Sequence, residues 1–330
     1  MNYLLKNREL ALAIIITAMV TGISVYAPAF ATLENTASVM NDTSILCMLA
    51  LAQMIVILTR GIDLSVASNL AFSGMLSASL AQNHPDLPAI AYIAVAIATG
   101  LVLGLINGSL ISMLAIPPIV VTLGTLAIFR GMIVVYGGGN QVNASEMGDI
   151  FQSFPKLTFF GLSTIFWIMT VVALVVWIFL GRTRTGRGLY AVGGNPVAAR
   201  YCGIDLKRQQ LLVYTLSGAI SGLCGYLWVS RYGVAYSEIA SGFELTVIAA
   251  CVIGGVSIAG GVGTVAGALL GALFLGVIVN ALPVMQITPF WQMAISGAII
   301  LAAVVVNARG EKLGVKLILP EARLIAGAAK

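Results

Sequence analysis

Three ionisable side chains stand inside or at the edges of otherwise apolar runs: Asp63, Arg130 and Glu244. A charge in hydrocarbon is costly, so such residues face an aqueous cavity or a partner group. Asp63 lies three residues after Arg60, the spacing at which helical side chains meet. A local ion pair therefore competes with cavity lining. Arg130, in "IFRGM", has no acid close in sequence and either pairs across a bundle, snorkels to an interface or lines a cavity. Glu244 sits at a run edge and is open to docking, a structural pair or contact with a bound molecule. Ser65, Ser68, Asn69 and Asn107 offer neutral hydrogen bonds to hydroxyl groups, or tie helices together.

Other chemistries have little to work with. His84 is the only histidine. Cys47, Cys202, Cys224 and Cys251 are scattered, without a CxxC pair or a Cys/His cluster, so no metal is expected and the cysteines read as small buried side chains. No G-x-x-x-x-G-K-[ST] loop occurs, so the chain itself is not expected to bind or hydrolyse ATP. Paired carboxylates and a nucleophile with its base are also missing, which argues against an enzyme.

The elements that must position these residues are membrane helices. Of 330 residues, 59% are hydrophobic and 9% are charged. Soluble domains carry roughly 25% charged residues. Most of the chain lies in apolar runs of about 17–25 residues, the length needed to cross a hydrocarbon core ~30 Å thick. The expected fold is an all-α polytopic membrane protein of about ten transmembrane helices, near 11–31, 43–59, 66–81, 88–112, 118–136, 158–180, 211–230, 245–259, 262–282 and 291–307. The third is short, and the eighth and ninth meet at glycines, so either region is a candidate for a broken or re-entrant segment. Ala29-Phe30-Ala31 resembles a signal-peptide cleavage site. The preceding apolar run is long for one, and it reads as a first transmembrane helix.

Basic residues set the orientation. With the N-terminus inside, the inner loops hold Lys6, Arg8, Arg182, Arg184, Arg187, Arg200, Lys207, Arg208, Arg309, Lys312, Lys316, Arg323 and Lys330, with Arg60 at a helix end. The outer loops keep only Lys156 and Arg231 as cations, beside Glu34, Asp42, Asp86, Glu146, Asp149 and Glu238. Both termini and the loop 181–210 are expected in the cytoplasm. Gly100, Gly104 and Gly108, and again Gly263, Gly267 and Gly271, recur every four residues and make smooth stripes for close helix packing.

Inside the basic loop, "GGNPVAARYCGI" marks both ends of a very short helix, Pro196–Cys202. Asn195 suits the N-cap, Pro196 the first position and Gly203 the residue past the end. So short a helix is marginal in water. Strong caps therefore point to docking against a partner, with an anchor on lipid headgroups as the alternative.

Four blocks carry a resemblance. "GRTRTGRGLYAVGGNPVAARYCGI" resembles the cytoplasmic loop of sugar-importing ABC permeases of the ribose/xylose/rhamnose group. "LTRGIDLSVAS" (58–68), "VTLGTLAIFRGMIVVYGGG" (121–139) and "GFELTVIAACVIGGVSIAGGVGTVAGALLGA" (242–272) are similar to further blocks of that group, in order and over nearly the whole chain. Two departures are visible. Thr246 stands where an acid is common, and Arg60 stands where small polar residues are common.

The resemblance implies one permease domain over 1–330, with a coupling helix in the cytoplasmic loop 181–210 and a cytoplasmic tail at 308–330. It implies contact with a separate cytoplasmic ABC ATPase through Gly193, Gly194, Asn195, Pro196, Ala199, Arg200 and Gly203. ATP and Mg would belong to that partner, and no cofactor to this chain. A periplasmic substrate-binding protein would dock on loops 32–42, 137–157 and 231–244. A second permease chain would complete the path for a monosaccharide or similar solute in a bacterial inner membrane, among lipids and without nucleic acid. Asp63, Ser65, Asn69, Arg130 and Glu244 are the candidates for that path. The alternatives are a permease for a branched-chain amino acid or nucleoside, or a secondary transporter driven by an ion gradient.

Overall fold

A computed structural model describes residues 8–301, apart from 289, 293, 296, 299 and 300. It contains α1 (Arg8–Tyr26), α2 (Leu33–Leu58), α3 (Val66–Asn83), α4 (Ala89–Leu114), α5 (Pro118–Gly137), α6 (Asp149–Ser153), α7 (Thr164–Arg182), α8 (Arg184–Gly194), α9 (Pro196–Tyr201), α10 (Leu206–Tyr232), α11 (Phe243–Ile253) and α12 (Val265–Val284). Among the described residues seven of these, α1, α2, α4, α5, α7, α10 and α12, are long and apolar enough to cross a membrane. The chain is an all-α multi-pass membrane protein.

α2 is its axis. Every residue from Thr43 to Leu58 is buried, as expected of a helix that is apolar all round. α10, α12, α7 and α11 pack around it. The helix begins ten residues before the expected start at 43, because Thr32 caps it by accepting a hydrogen bond from Asn35 N. The polar stretch that followed thus continues the helix instead of interrupting it.

The most extensive packing joins α10 to α4. Their glycines face one another. A Cβ on Gly100 would overlap Gly218 O, one on Gly104 would overlap Tyr214 O, and one on Gly222 would overlap Ala96 O. Backbone therefore meets backbone, which is how helices associate where lipid offers no hydrophobic drive. The second stripe is only partly helical. Gly267 and Gly271 touch Gly254 and Ala250 of α11, whereas Gly263 lies before α12 and faces Val256.

Other expected spans also change. α11 has 11 residues, about 16 Å at 1.5 Å per residue, and stops at Ile253 rather than 259. A glycine-rich loop, 254–264, follows; Gly255, Gly260 and Gly261 there have positive φ. α3 corresponds to 66–81 and is enclosed by protein, with most of its residues buried. Residues 158–163 form a hairpin, β2 (Thr158–Phe159) with β3 (Leu162–Ser163), turned through Phe160 and Gly161 at positive φ. The span expected at 291–307 falls largely outside the described residues, and the tail 308–330 wholly so.

At the end opposite the basic loop, β1 (Val142–Asn143) pairs antiparallel with β4 (Val234–Ala235), joining loops 137–157 and 231–244. Arg231 Nε donates to Asp42 Oδ1 at 2.6 Å and fastens α10 to α2 nearby.

The seam predicts opposite signs for one substitution at two glycines. Gly218→Ala places a Cβ against Gly100 O and should destabilise by about 1–3 kcal/mol. Gly124→Ala meets open space and should be neutral or stabilising by up to about 1 kcal/mol. Thermal unfolding of the detergent-purified protein checks both.

Candidate functional site

The chain between α2 and α3 turns sharply through Arg60, at φ 66°, and Gly61. A Cβ at Gly61 would overlap the Tyr214 hydroxyl. Asp63 then organises the elbow. Its Oδ1 accepts from Ser65 N (3.0 Å) and Ser65 Oγ (2.6 Å), and its Oδ2 accepts from Ser217 Oγ of α10 (3.0 Å). The Gln53 amide, turned to satisfy both ends, donates to Asp63 O and accepts from Asp63 N. Asn107 of α4 donates to Ser65 Oγ at 2.8 Å, Asn69 donates to Gly100 O at 3.2 Å, and Thr122 of α5 donates to Ile62 O at 3.2 Å.

Asp63, Ser65, Ser68 and Asn69 are all buried here. Asp63, Ser65 and Asn69 form hydrogen bonds between helices, whereas Ser68 donates to Ser65 O within its own segment. The local pair with Arg60 does not form, since the positive φ of Arg60 sends its side chain the other way. Arg60 Nε donates to Gly193 O (2.7 Å) and its Nη2 to Gly194 O (2.9 Å). Gly193 is packed so closely on Leu58 O and Gly261 that no side chain fits, and Gly261 N donates to Leu58 O at 3.0 Å.

These carbonyls end α8, an 11-residue helix within the loop. Sequence reading took this stretch as a loop. Its signals were Thr183, whose Oγ1 accepts from Gly186 N, and the helical spacing of Gly186, Leu189 and Gly193, which are buried. Tyr190 donates from its hydroxyl to Gly263 O at 3.0 Å. Burial pushes the Tyr190 phenol up, which keeps this donor protonated.

Asn195 closes α8 and opens α9. Its Oδ1 accepts from Val197 N and Ala198 N, both at 3.1 Å. α9 runs Pro196–Tyr201, one residue shorter than expected. Gly203, at φ 80°, ends it with Gly203 N donating to Arg200 O and Ile204 N to Ala199 O, each at 3.0 Å. Ala199 faces inward, while Val197 is 65% and Tyr201 88% exposed. They stand four residues apart, on one helical face. Arg200 and Cys202 are exposed as well, the latter unlike Cys47, Cys224 and Cys251.

Arg130 and Glu244 belong elsewhere. Arg130 Nη1 donates to Ser237 O (2.5 Å) and Ile239 O (2.7 Å), bracing the loop before α11, and feels the charges of Glu238 and Glu244. Arg130 and Glu244 are both half-buried. Where α3 and α5 end, the chain gathers polar groups that the sequence did not mark as a site. A polar cavity of about 640 Å³ is lined by Gln82, Asn83, Asn140, Gln141, Asn143 and Glu146, among others. No periodicity marks such amides, because loops bring them together.

With this geometry in hand, the comparisons with known proteins are decisive. Residues 35–304 match the family described as the branched-chain amino acid transport system permease component. The chain belongs to this family. It is a transport component and not an enzyme. It is similar to the ribose import permease protein of Escherichia coli K12, 36% identical over 307 residues, covering 92% of this chain and 94% of the relative. It is also similar to the autoinducer 2 import system permease protein of Klebsiella pneumoniae, 37% identical over 309 residues, 94% of this chain and 89% of the relative. The D-allose transport system permease protein of Escherichia coli K12 is 36% identical over 278 residues, 84% of each chain. No solved structure matches.

Substitutions at two positions test the site's architecture. Asn195→Ala removes the cap of α9, worth about 1 kcal/mol, so amide exchange in 197–201 should rise about fivefold, as read by mass spectrometry. Asp63→Ala leaves the donors of Ser65 and Ser217 without an acceptor and should cost about 3 kcal/mol in thermal unfolding. Asp63→Asn should cost less, because one oxygen remains.

Proposed function

We propose that this chain is the transmembrane subunit of an ATP-binding cassette importer that carries a monosaccharide or related small polar solute across a bacterial inner membrane. Support for the cargo class comes from relatives named for ribose and D-allose import that match along most of their length. The family description allows a branched-chain amino acid, but these relatives, similar over most of this chain, are named for ribose and D-allose.

The observation that carries the coupling role is the face of α9. A helix capped at both ends presents exposed Val197 and Tyr201 beside Arg200. Aromatic and arginine side chains are favoured anchors at protein interfaces. In this reading a separate cytoplasmic ATPase, holding ATP and Mg, grips α9. The chain's own Gly193, Gly194, Asn195, Pro196, Ala199, Arg200 and Gly203 shape and present that helix. This chain binds no cofactor.

On the opposite side, loops 32–42, 137–157 and 231–244 receive a periplasmic binding protein. The β1–β4 pairing supports this by making two of these loops one surface. A second permease chain completes the path. About ten membrane helices, the short α11 among them, with both termini and a tail at 308–330 in the cytoplasm, complete the topology. The clustering of Arg8, Arg60 and the end of α8 around the glycine loop supports an N-terminus on the same side as the loop 181–210. Asp63, Ser65 and Asn69 act in this scheme as an internal fastener. Arg130 and Glu244 remain the candidates for contact with the solute.

The test is co-expression of the chain with its ATPase and binding protein, followed by uptake of labelled D-ribose, D-allose and leucine. Arg200→Glu combined with Gly203→Pro should abolish ATPase co-purification and ATP-dependent uptake of whichever sugar is carried, a loss of at least ~30-fold from removing interface anchors worth about 2 kcal/mol or more. The inserted permease should persist. Normal sugar uptake by the double variant would make α9 a lipid anchor, and uptake of leucine alone would replace the cargo class.

A further inference from the structure

α9 is joined to the membrane bundle at both ends: residues 202–205 lead into α10, and just before its first residue the end of α8 is held at a small number of points. Gly193 O and Gly194 O are the last two carbonyls of α8, and a helix end leaves such acceptors unpaired. The fork of Arg60 takes both, at 2.7 and 2.9 Å. The same residue begins the elbow between α2 and α3, and the Asp63 cluster ties that elbow to α4 and α10. The Tyr190–Gly263 hydrogen bond attaches α8 to the start of α12 in parallel. Close packing of Gly193 on Leu58 and Gly261 leaves no slack between the three segments.

We propose that Arg60 is a positioning residue for energy coupling: its guanidinium fork transmits displacement of the α8–α9 unit to the α2–α3 elbow, and so to the core of the bundle. This rests on the reading of α9 as the ATPase contact. A guanidinium suits the task because it donates two charge-assisted bonds in a fixed plane, whereas lysine offers a point charge. The cationic head also favours the carboxyl end of α8, where the helix dipole is negative.

The backbone at position 60 supplies an unusual control. Its φ of 66° is one that glycine adopts without strain. Arg60→Gly therefore removes the fork while favouring the elbow, so loss of function cannot be ascribed to an elbow that fails to form. The full chain with its ATPase and binding protein is reconstituted in proteoliposomes and assayed with labelled D-ribose and D-allose. Arg60→Gly should keep ATPase association, raise amide exchange across 190–201 about tenfold, and lower sugar taken up per ATP hydrolysed about tenfold. Arg60→Lys should recover part of both, since its ammonium reaches one carbonyl at a time.

Wild-type exchange protection with wild-type uptake per ATP in Arg60→Gly overturns the proposal. So does raised exchange without any change in uptake per ATP, which leaves Arg60 a local tether. Failure of the unmodified chain to associate with the ATPase instead refutes the reading of α9, and with it the inference built on it.

Discussion

The structure turns on a carboxylate taken out of water. Asp63 is 3% exposed, and burying a charge is tolerable only where donors replace the lost hydration. Two serines and a backbone amide do so from two elements. Because those donors sit on the α3 entry and on α10, satisfying Asp63 dictates where the α2–α3 elbow lies relative to α10. The amide groups of Gln53 and Asn107 then bring α2 and α4 into the same arrangement. Packing forces alone are weak discriminators inside lipid, where every apolar face is equally content. A buried polar network has one satisfied geometry, and it selects it.

Glycine seams carry this specificity along the bundle. Where α4 meets α10 and where α11 meets α12, backbones touch directly, and neither pair can slide without overlap. Such contacts make the helices move as blocks. The glycine-rich loop 254–264 is the complementary case: positive φ at Gly255, Gly260 and Gly261 lets the chain reverse after the short α11 and reach the underside of α8. The end of α8 therefore meets the α2–α3 elbow through a junction of few residues, while the β1–β4 pairing organises the opposite surface independently.

Much of this was legible in the residues themselves. Membrane residence, the main long helices, the α4 stripe and the caps of α9 follow from local rules: hydrocarbon demands long apolar runs, close approach demands glycine, and orphan amides demand an Asn195. Each depends on neighbours within a few positions of the chain. The order of the four blocks also pointed to the permease family.

Tertiary structure alone decided the partners of the charged groups. Arg60 and Asp63 are three apart and look like a pair, yet the turn at Arg60 sends its side chain to carbonyls more than a hundred residues away, while Asp63 takes its donors from nearby Ser65 and from Ser217 of α10. Arg130 has no acid nearby in sequence and finds the carbonyls of Ser237 and Ile239 instead. The premature end of α11 and the placing of Gly263 outside α12 likewise depend on what packs against them. The chain's composition and periodicity determined which segments enter the membrane, because burial energy is summed locally over side chains. Which polar group satisfies which was left to the fold, because hydrogen bonding depends on three-dimensional proximity and carries no sequence period.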